Sequence, residues 1–297
     1  MTPGTDVSIR ATTRPIALLG DPVAHSFSPL IHNTGFQTQG LDFVYLACRV
    51  PKDALPEAIA GLRALGFAGA NVTIPHKEAV RPLLDRCTPR AEAIGAVNTI
   101  VCRADGSGAV ELIGDNTDVE GFLEPLQSLA DRLAGAEMVV LGAGGAARAV
   151  VYALLTEFRP TRLTIVARTP ARGEALAADF ATYDTRRALQ VMAPDEAAPA
   201  VRSACLIVNA TPVGMHPHVA ASPWPHAEDF GPEQIVYDLV YNPVRTRLLR
   251  EAAARGATTI DGLTMLIGQA AAAYRQWTGR ELPREAVQAA LKPLFQD

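Results

Sequence analysis

Lys77 is one of three lysines in a 297-residue chain that carries twenty-four arginines. It closes the run Asn71-Val72-Thr73-Ile74-Pro75-His76-Lys77, where a strand is expected to end and a helix to begin. Arg stays protonated in any protein setting, whereas the pKa of a Lys can be drawn down far enough to exchange a proton. A Lys kept at such a junction points to acid–base work or to a fixed positive charge, and the sequence leaves both open. A helix start would lower its pKa, because the dipole there disfavours a cation. A carboxylate nearby would raise it. Asp118, at the end of Gly114-Asp115-Asn116-Thr117-Asp118, is the candidate partner, and as a first-turn residue it also suits the dipole of the helix expected after it.

Other polar side chains recur at spacings that could line a site. Ser26 and Ser28 lie two apart in an extended segment, so their hydroxyls share a face. Ser28 before Pro29 also has the form of a helix N-cap. Asn71 and Thr73 share one face of a strand, opposite Val72 and Ile74. Asn98 follows Ala96-Val97, and Gln269 sits mid-helix among small and apolar neighbours. Together these are hydroxyls, amides, one carboxylate and one ammonium, a lining suited to a small polyhydroxylated acid.

A second kind of chemistry is written in Val139-Val140-Leu141-Gly142-Ala143-Gly144-Gly145-Ala146-Ala147, a strand, a G-x-G-x-x-A turn and a helix start. Its glycines let backbone N–H groups approach a pyrophosphate, whose charge the helix N-terminus favours. The next strand runs into Ala167-Arg168-Thr169-Pro170-Ala171-Arg172, with no carboxylate to hold a ribose 2′-hydroxyl. Two guanidinium groups and a hydroxyl suit a 2′-phosphate, so NADP is expected rather than NAD.

Alternating strand and helix signals must position these groups. Strands are expected at 16–19, 43–50, 68–74, 138–141, 163–167, 206–209 and 235–239, and helices at 54–65, 119–134, 171–180, 262–277 and 284–295. Segments 96–102 and 110–113 flank Asp105-Gly106-Ser107-Gly108, a hairpin signal. Short continuous apolar strands between helices predict an α/β protein with a parallel sheet covered on both faces. The last two helices have no strand of their own and are expected to pack back on another domain. Length allows about two domains.

Composition excludes several classes. At 48% hydrophobic and 20% charged the chain is globular. Its net charge of -4, without a basic block, argues against nucleic acid. Residues 1–13 read as a loose polar tail without a secretory apolar core, and no stretch approaches the length of a membrane helix. The scattered Cys48, Cys87, Cys102 and Cys205 fit a reducing, cytoplasmic setting. His216-Pro217-His218 lacks carboxylate or Cys support, so no metal is expected.

Eight motifs then occur in one order: Ser26-x-Ser28-Pro29-x-x-His32, Asn71-Val72-Thr73-x-Pro75-x-Lys77, Gly95-Ala96-Val97-Asn98-Thr99, Gly114-Asp115-Asn116-Thr117-Asp118, the Gly142 loop, Asn209-Ala210-Thr211, Tyr237-Asp238-x-x-Tyr241 and Asp261-Gly262-Leu263-x-Met265-Leu266-x-x-Gln269-Ala270. The set resembles that of the shikimate dehydrogenase family over nearly the whole chain. The resemblance implies NADP-dependent reduction of 3-dehydroshikimate to shikimate in aromatic amino-acid biosynthesis, by a monomer or homodimer. It implies a substrate domain from 1–117 and 262–297, and a Rossmann-like nucleotide domain from 118–261. By position it implies substrate contacts at Ser26, Ser28, Thr73, Lys77, Asn98, Asp118, Tyr241 and Gln269. Cofactor contacts fall on Gly142, Ala143, Gly144, Gly145, Ala146, Arg168, Thr169, Arg172, Thr211, Leu239 and Gly262. Ala167 stands where the family often has Asn, which removes one polar contact near the adenosine ribose. Two alternatives stay open: a catabolic quinate/shikimate dehydrogenase using NAD, and a sensor that binds the same metabolite without turnover. The arginine pair leans against the first, and the presence of both Lys77 and Asp118 against the second.

Overall fold

The computed structural model describes residues 9–104, 106 and 108–295. Residues 1–8 of the expected tail, and Asp105 and Ser107 of the expected hairpin turn, lie outside the described residues. The chain divides into two compact units, Met1–Thr117 with Gln269–Asp297, and Asp118–Gly268.

In the first unit β1 (Arg14–Gly20), α1 (Ser28–Thr38), β2 (Phe43–Arg49), α2 (Leu55–Ala64), β3 (Gly69–Val72), β4 (Arg86–Cys87), α3 (Pro89–Ile94), β5 (Thr99–Ala104) and β6 (Val110–Asp115) build a sheet of order β2-β1-β3-β5-β6-β4. Strands β1, β2 and β3 are parallel, joined by α1 and α2; β5 and β6 form the expected antiparallel hairpin beside β3. Leu19, Val72 and Ile100 meet Leu55, Ile59 and Leu62 of α2 in one core. The aromatic residues His32, Phe36 and Tyr45 pack with Tyr274 and Trp277 from the C-terminal end of the chain. Helix α1 starts at Ser28, but Phe27 occupies the cap position and no side chain caps it. Ser28 is therefore a first-turn residue rather than the expected cap, its hydroxyl taken up by Ser26.

The second unit holds α4 (Asp118–Leu123), α5 (Ala130–Leu133), β7 (Glu137–Leu141), α6 (Gly145–Ala153), β8 (Arg162–Val166), α7 (Pro170–Asp179), β9 (Leu189–Met192), α8 (Ala198–Ser203), β10 (Leu206–Asn209), β11 (Ile235–Asp238), α9 (Arg247–Ala254) and β12 (Thr258–Ile260). Its six strands are all parallel in the order β12-β11-β10-β7-β8-β9. That order is the doubly wound Rossmann arrangement, whose direction reverses between β7 and β10. The helix expected over 119–134 is broken into α4, a 3-10 stretch at Glu124–Leu129, and α5. Pro125 is the cause: it supplies no N–H, and its ring clashes with the preceding turn.

Helix α10 (Gly262–Thr278) begins in the second unit and ends in the first, and α11 (Arg284–Leu291) packs on α1. Trp277 near the end of α10 donates its indole N–H to the Ile100 carbonyl at 2.9 Å and covers Gly69, where any Cβ would overlap the indole. The end of α10 thus finds its partner on the first sheet, and α11 finds its own on α1 of the same unit.

His32 is fully buried, stacks on Tyr45 with ring centroids 4.4 Å apart, and has no hydrogen-bond partner on either ring nitrogen. Burial alone drives its pKa down from 6.5 to about 3. The unfolded chain therefore takes up this proton first. The full stability is present above pH ~6.5 and declines as pH falls toward ~3, with a limiting slope of about 1.4 kcal/mol per pH unit. His32→Phe is expected to flatten the fall of the urea midpoint between these limits; a slope equal to that of the unsubstituted protein would contradict this account.

Candidate functional site

Within the first unit, the segment that carries Lys77 is tied down along its length. Thr73 N–H donates to the Leu19 carbonyl at 2.9 Å, and Asp21 N–H to the Ile74 carbonyl at 2.9 Å. The buried His76 ring meets the Val50 carbonyl at 2.7 Å. The Lys77 carbonyl accepts from Val97 N–H at 2.7 Å. No α-helix starts at Lys77: turns over 77–80 lead into a 3-10 stretch at Arg81–Leu83. Pro82 is the reason: an α-helix begun at Lys77 would carry it beyond the first turn, where it supplies no N–H and its ring clashes with the carbonyl four residues back. The expected dipole effect on Lys77 therefore has no helix to act through. The backbone of Lys77 and of its neighbours is fixed by these hydrogen bonds, and the residue is half-buried.

Beside this segment lies a buried polar node. Asn98 Oδ1 accepts from Thr117 N–H at 2.7 Å and from the Thr99 hydroxyl at 2.9 Å. Its Nδ2 donates to Thr117 Oγ1 at 3.0 Å and, more weakly, to Gln269 Oε1 at 3.5 Å. Asn71 Nδ2 donates to the Asn98 carbonyl at 3.0 Å and to Thr99 Oγ1 at 3.2 Å, and Asn71 Oδ1 accepts from the Tyr45 hydroxyl at 2.7 Å. Asn71, Asn98 and Gln269 are thus brought together, with the Asn71 amide committed inside the protein. Ser26 and Ser28 hydroxyls lie 3.2 Å apart on their own turn. Before the node, Asp115 accepts from the Thr88 hydroxyl at 2.6 Å, Arg90 at 2.7 Å and Gln276 at 2.7 Å. Burial works against its charge, but the Arg90 and Thr88 hydrogen bonds outweigh it and hold the carboxyl below its usual range. Asn116 donates to the Ala96 carbonyl at 2.9 Å. Residues 115–117 are therefore fixed one after another, and Asp118, 4% exposed, follows them in the second unit at the start of α4.

In the second unit the remaining candidates line up at the C-terminal ends of the strands. Leu141, Asn209 and Asp238 are level in register across β7, β10 and β11. Gly142 adopts φ 113°, a left-handed conformation that favours glycine. A Cβ there would stand 2.8 Å from Thr211 Cγ2 and 3.2 Å from the Ala210 carbonyl oxygen. A Cβ on Gly144 would meet nothing within 4 Å, so the loop is open on that side. Gly145 starts α6, whose first N–H groups have no partner within the helix. Past β8, Arg168, Thr169 and Arg172 are exposed around the start of α7, and among the described residues neither arginine is in an ion pair. Gly262 is another point of close approach: a Cβ would overlap the Leu239 carbonyl, so α10 can begin against the turn that carries Leu239 and Tyr241. Tyr241 is half-buried in that turn.

Sequence reasoning overlooked Tyr45 and gave no role to the other residues behind these, although they stand in its motifs. Tyr45 orients Asn71, Thr99 and Thr117 close the Asn98 node, and the buried pair Asn209 and Asp238 underlies Thr211. The signal for the pair was present: each is a polar residue that ends an otherwise apolar strand.

A Rossmann sheet with a glycine cradle at its switch point defines the class, a dinucleotide-binding α/β protein with a second α/β unit. Residues 18–100 match the shikimate dehydrogenase substrate binding domain, 124–212 the shikimate/quinate 5-dehydrogenase family, and 262–292 the shikimate 5'-dehydrogenase C-terminal domain. The NADP(+) shikimate dehydrogenase of Salinibacter ruber is 59% identical over 95% of this chain and 98% of its own. A crystal structure of a shikimate dehydrogenase in complex with NADP+ superposes with a TM-score of 0.88 at 39% identity, over 98% of both chains. The quinate dehydrogenase of Corynebacterium glutamicum in complex with NAD superposes at 0.82 with 32% identity, over 95% of this chain and 99% of its own. The chain belongs to the shikimate dehydrogenase family.

Asn98→Ala would leave Thr117 N–H and the Asn71–Thr99 network short of a buried partner. Each such loss costs about 1–3 kcal/mol. Urea unfolding is expected to show a destabilisation of roughly 2–4 kcal/mol, and a loss well under 1 kcal/mol would mean that the node bears little strain.

Proposed function

We propose that the chain interconverts 3-dehydroshikimate and shikimate with NADP(H), as a cytoplasmic enzyme of aromatic amino-acid biosynthesis. What carries the reading is the near-complete match to the Salinibacter ruber relative, whose name gives both shikimate and NADP(+). All four cysteines are free, in keeping with a reducing compartment.

The residues present fit the cofactor. Gly142 has no room for a side chain and Gly144 leaves its side open, as a loop that takes a pyrophosphate requires. In this reading Gly142, Ala143, Gly144, Gly145 and Ala146 hold the pyrophosphate. Arg168, Thr169 and Arg172 hold the 2′-phosphate, and Thr211, Leu239 and Gly262 border the rest. When bound, NADPH supplies the hydride, while the protein supplies orientation, charge and the proton. Ser26, Ser28, Thr73, Asn98, Tyr241 and Gln269 offer the hydroxyl and amide groups that a ring of hydroxyls and a carboxylate requires. Asn98 has a weak 3.5 Å contact with Gln269 to exchange for a substrate oxygen, whereas Asn71 works behind it, its amide spent on Tyr45, Asn98 and Thr99 at 3.2 Å or less. Lys77 is the cation for the developing alkoxide, giving it a proton or holding its charge. Asp118, peptide-bonded to the fixed Thr117, is the second ionisable group.

The likeness to a quinate dehydrogenase that binds NAD gives the competing reading its footing. Rates with shikimate and quinate, each with NADP+ and NAD+, separate the two: shikimate with NADP+ is expected to be fastest, and quinate with NAD+ being fastest would overturn the proposal. Lys77→Ala is expected to lower turnover by roughly 10²–10⁴-fold with a smaller change in substrate affinity; normal turnover would remove Lys77 from the chemistry. Lys77→Arg keeps partial activity if charge alone matters and loses it if proton transfer does. Arg168→Ala with Arg172→Ala is expected to raise KM for NADPH by roughly 10–100-fold, the worth of lost charge-assisted hydrogen bonds. An unmoved KM would assign the 2′-phosphate elsewhere.

A further inference from the structure

Asp238 ends β11 at 0% exposure, and among the described residues no cation is paired with it. Its carboxylate is met by three neutral donors from three pieces of chain. Oδ1 accepts from Asn209 Nδ2 at 2.8 Å and from Val240 N–H at 3.0 Å, and Oδ2 accepts from the Thr246 hydroxyl at 2.6 Å. Thr246 caps α9 by accepting from Leu249 N–H. Burial outweighs these hydrogen bonds and pushes the carboxyl up to about 6. A buried charge without a counter-ion is costly. A neutral side chain could serve the turn alone, so the carboxylate needs another explanation.

That explanation lies in what an acceptor-only group imposes on its neighbour. An amide has a donating end and an accepting end. Asp238 takes the donating end of Asn209 at 2.8 Å, with the Val213 carbonyl a longer second acceptor at 3.3 Å, so Asn209 Oδ1 must face the other way. There it accepts from Thr211 N–H at 2.9 Å and from the Thr211 hydroxyl at 2.7 Å. The Thr211 methyl is then the group pressed against Gly142. The same oxygen of Asp238 fixes Val240 N–H and with it the turn whose Leu239 carbonyl lies against Gly262.

The geometry points to Asp238 as a positioning residue for the dinucleotide cradle: it fixes the orientation of the Asn209 amide, and through it Thr211 at the Gly142 turn. The inference rests on the reading that this cradle takes NADP(H). It predicts a defect in cofactor binding rather than in the chemical step.

Two variants separate orientation from mere packing. Asp238→Ser keeps an oxygen for the local N–H two residues on, as serine does in turns, but cannot reach Asn209. Asp238→Asn keeps an acceptor for both Val240 and Asn209 and turns its amide N–H toward Thr246. NADPH affinity is measured by fluorescence titration without substrate, and kcat and both KM values by steady-state assay. Asp238→Ser is expected to raise Kd and KM for NADPH about ten-fold, the worth of one buried hydrogen bond. Its kcat and its KM for shikimate should stay within about three-fold, and Asp238→Asn should restore the cofactor constants. If Asp238→Ser fails to melt cooperatively, Asn209→Ala is the substitute and carries the same expectation. Wild-type NADPH constants in the variant, or an Asp238→Asn as impaired as Asp238→Ser, would overturn the inference. Native protein that binds NADPH but does not oxidise shikimate would refute the proposed reaction and leave the positioning claim standing on the titration.

Discussion

Asn98 has both ends of its side-chain amide and both ends of its peptide unit committed, at 2% exposure. Through these bonds one residue joins β3, the start of β5, the turn after β6 and the part of α10 that belongs to the first unit. An amide held this way cannot turn without stranding buried donors and acceptors, each at a cost comparable to a large share of a domain's net stability. Its neighbours inherit that rigidity. Val97 is tied to the Lys77 carbonyl, Thr117 immediately precedes Asp118, and Gln269 is drawn to the amide itself. The groups proposed for acid–base chemistry and for substrate recognition are thus placed by a network that does not itself ionise.

The second unit solves a similar problem with backbone. Parallel strands β7, β10 and β11 end level, and the chain leaves β7 in a tight turn that glycine makes possible at Gly142. The close approach of Gly142 to Thr211 and of Gly262 to Leu239 leaves no space for side chains at these two points, both proposed to border the cofactor. A rigid sheet edge of this kind supplies oriented N–H groups at no further cost in ordering when a ligand arrives.

Much of this was legible in the sequence, for physical reasons. Strands such as Leu206–Asn209 and Ile235–Asp238 are continuous apolar runs bounded by turn residues, and strands buried on both faces look like that. The glycine loop carries its own conformational signature. Strands β9 and β12 escaped notice because they are sheet edges, half-buried or more exposed, with weak apolar patterning. The helix expected at Lys77 and the long helix expected from 119 both fail at prolines, Pro82 and Pro125, whose local veto outweighed the apolar spacing. The orientation of Asn71 was beyond reach, since it depends on Tyr45, which lies 26 residues earlier in the chain. Polar partners far apart in sequence leave no periodic trace, so Asn209 and Asp238 were visible as strand ends but not as a pair.

The central claim is a hydride transfer to a ring ketone, and isotopic labelling tests it most directly. NADPH deuterated at its transferable position is incubated with 3-dehydroshikimate and the native protein, and the product is examined by mass spectrometry. Shikimate heavier by one deuterium, bound to the carbon that bore the ketone, is the predicted result. Unlabelled shikimate, or no shikimate while NADPH persists, would contradict the account.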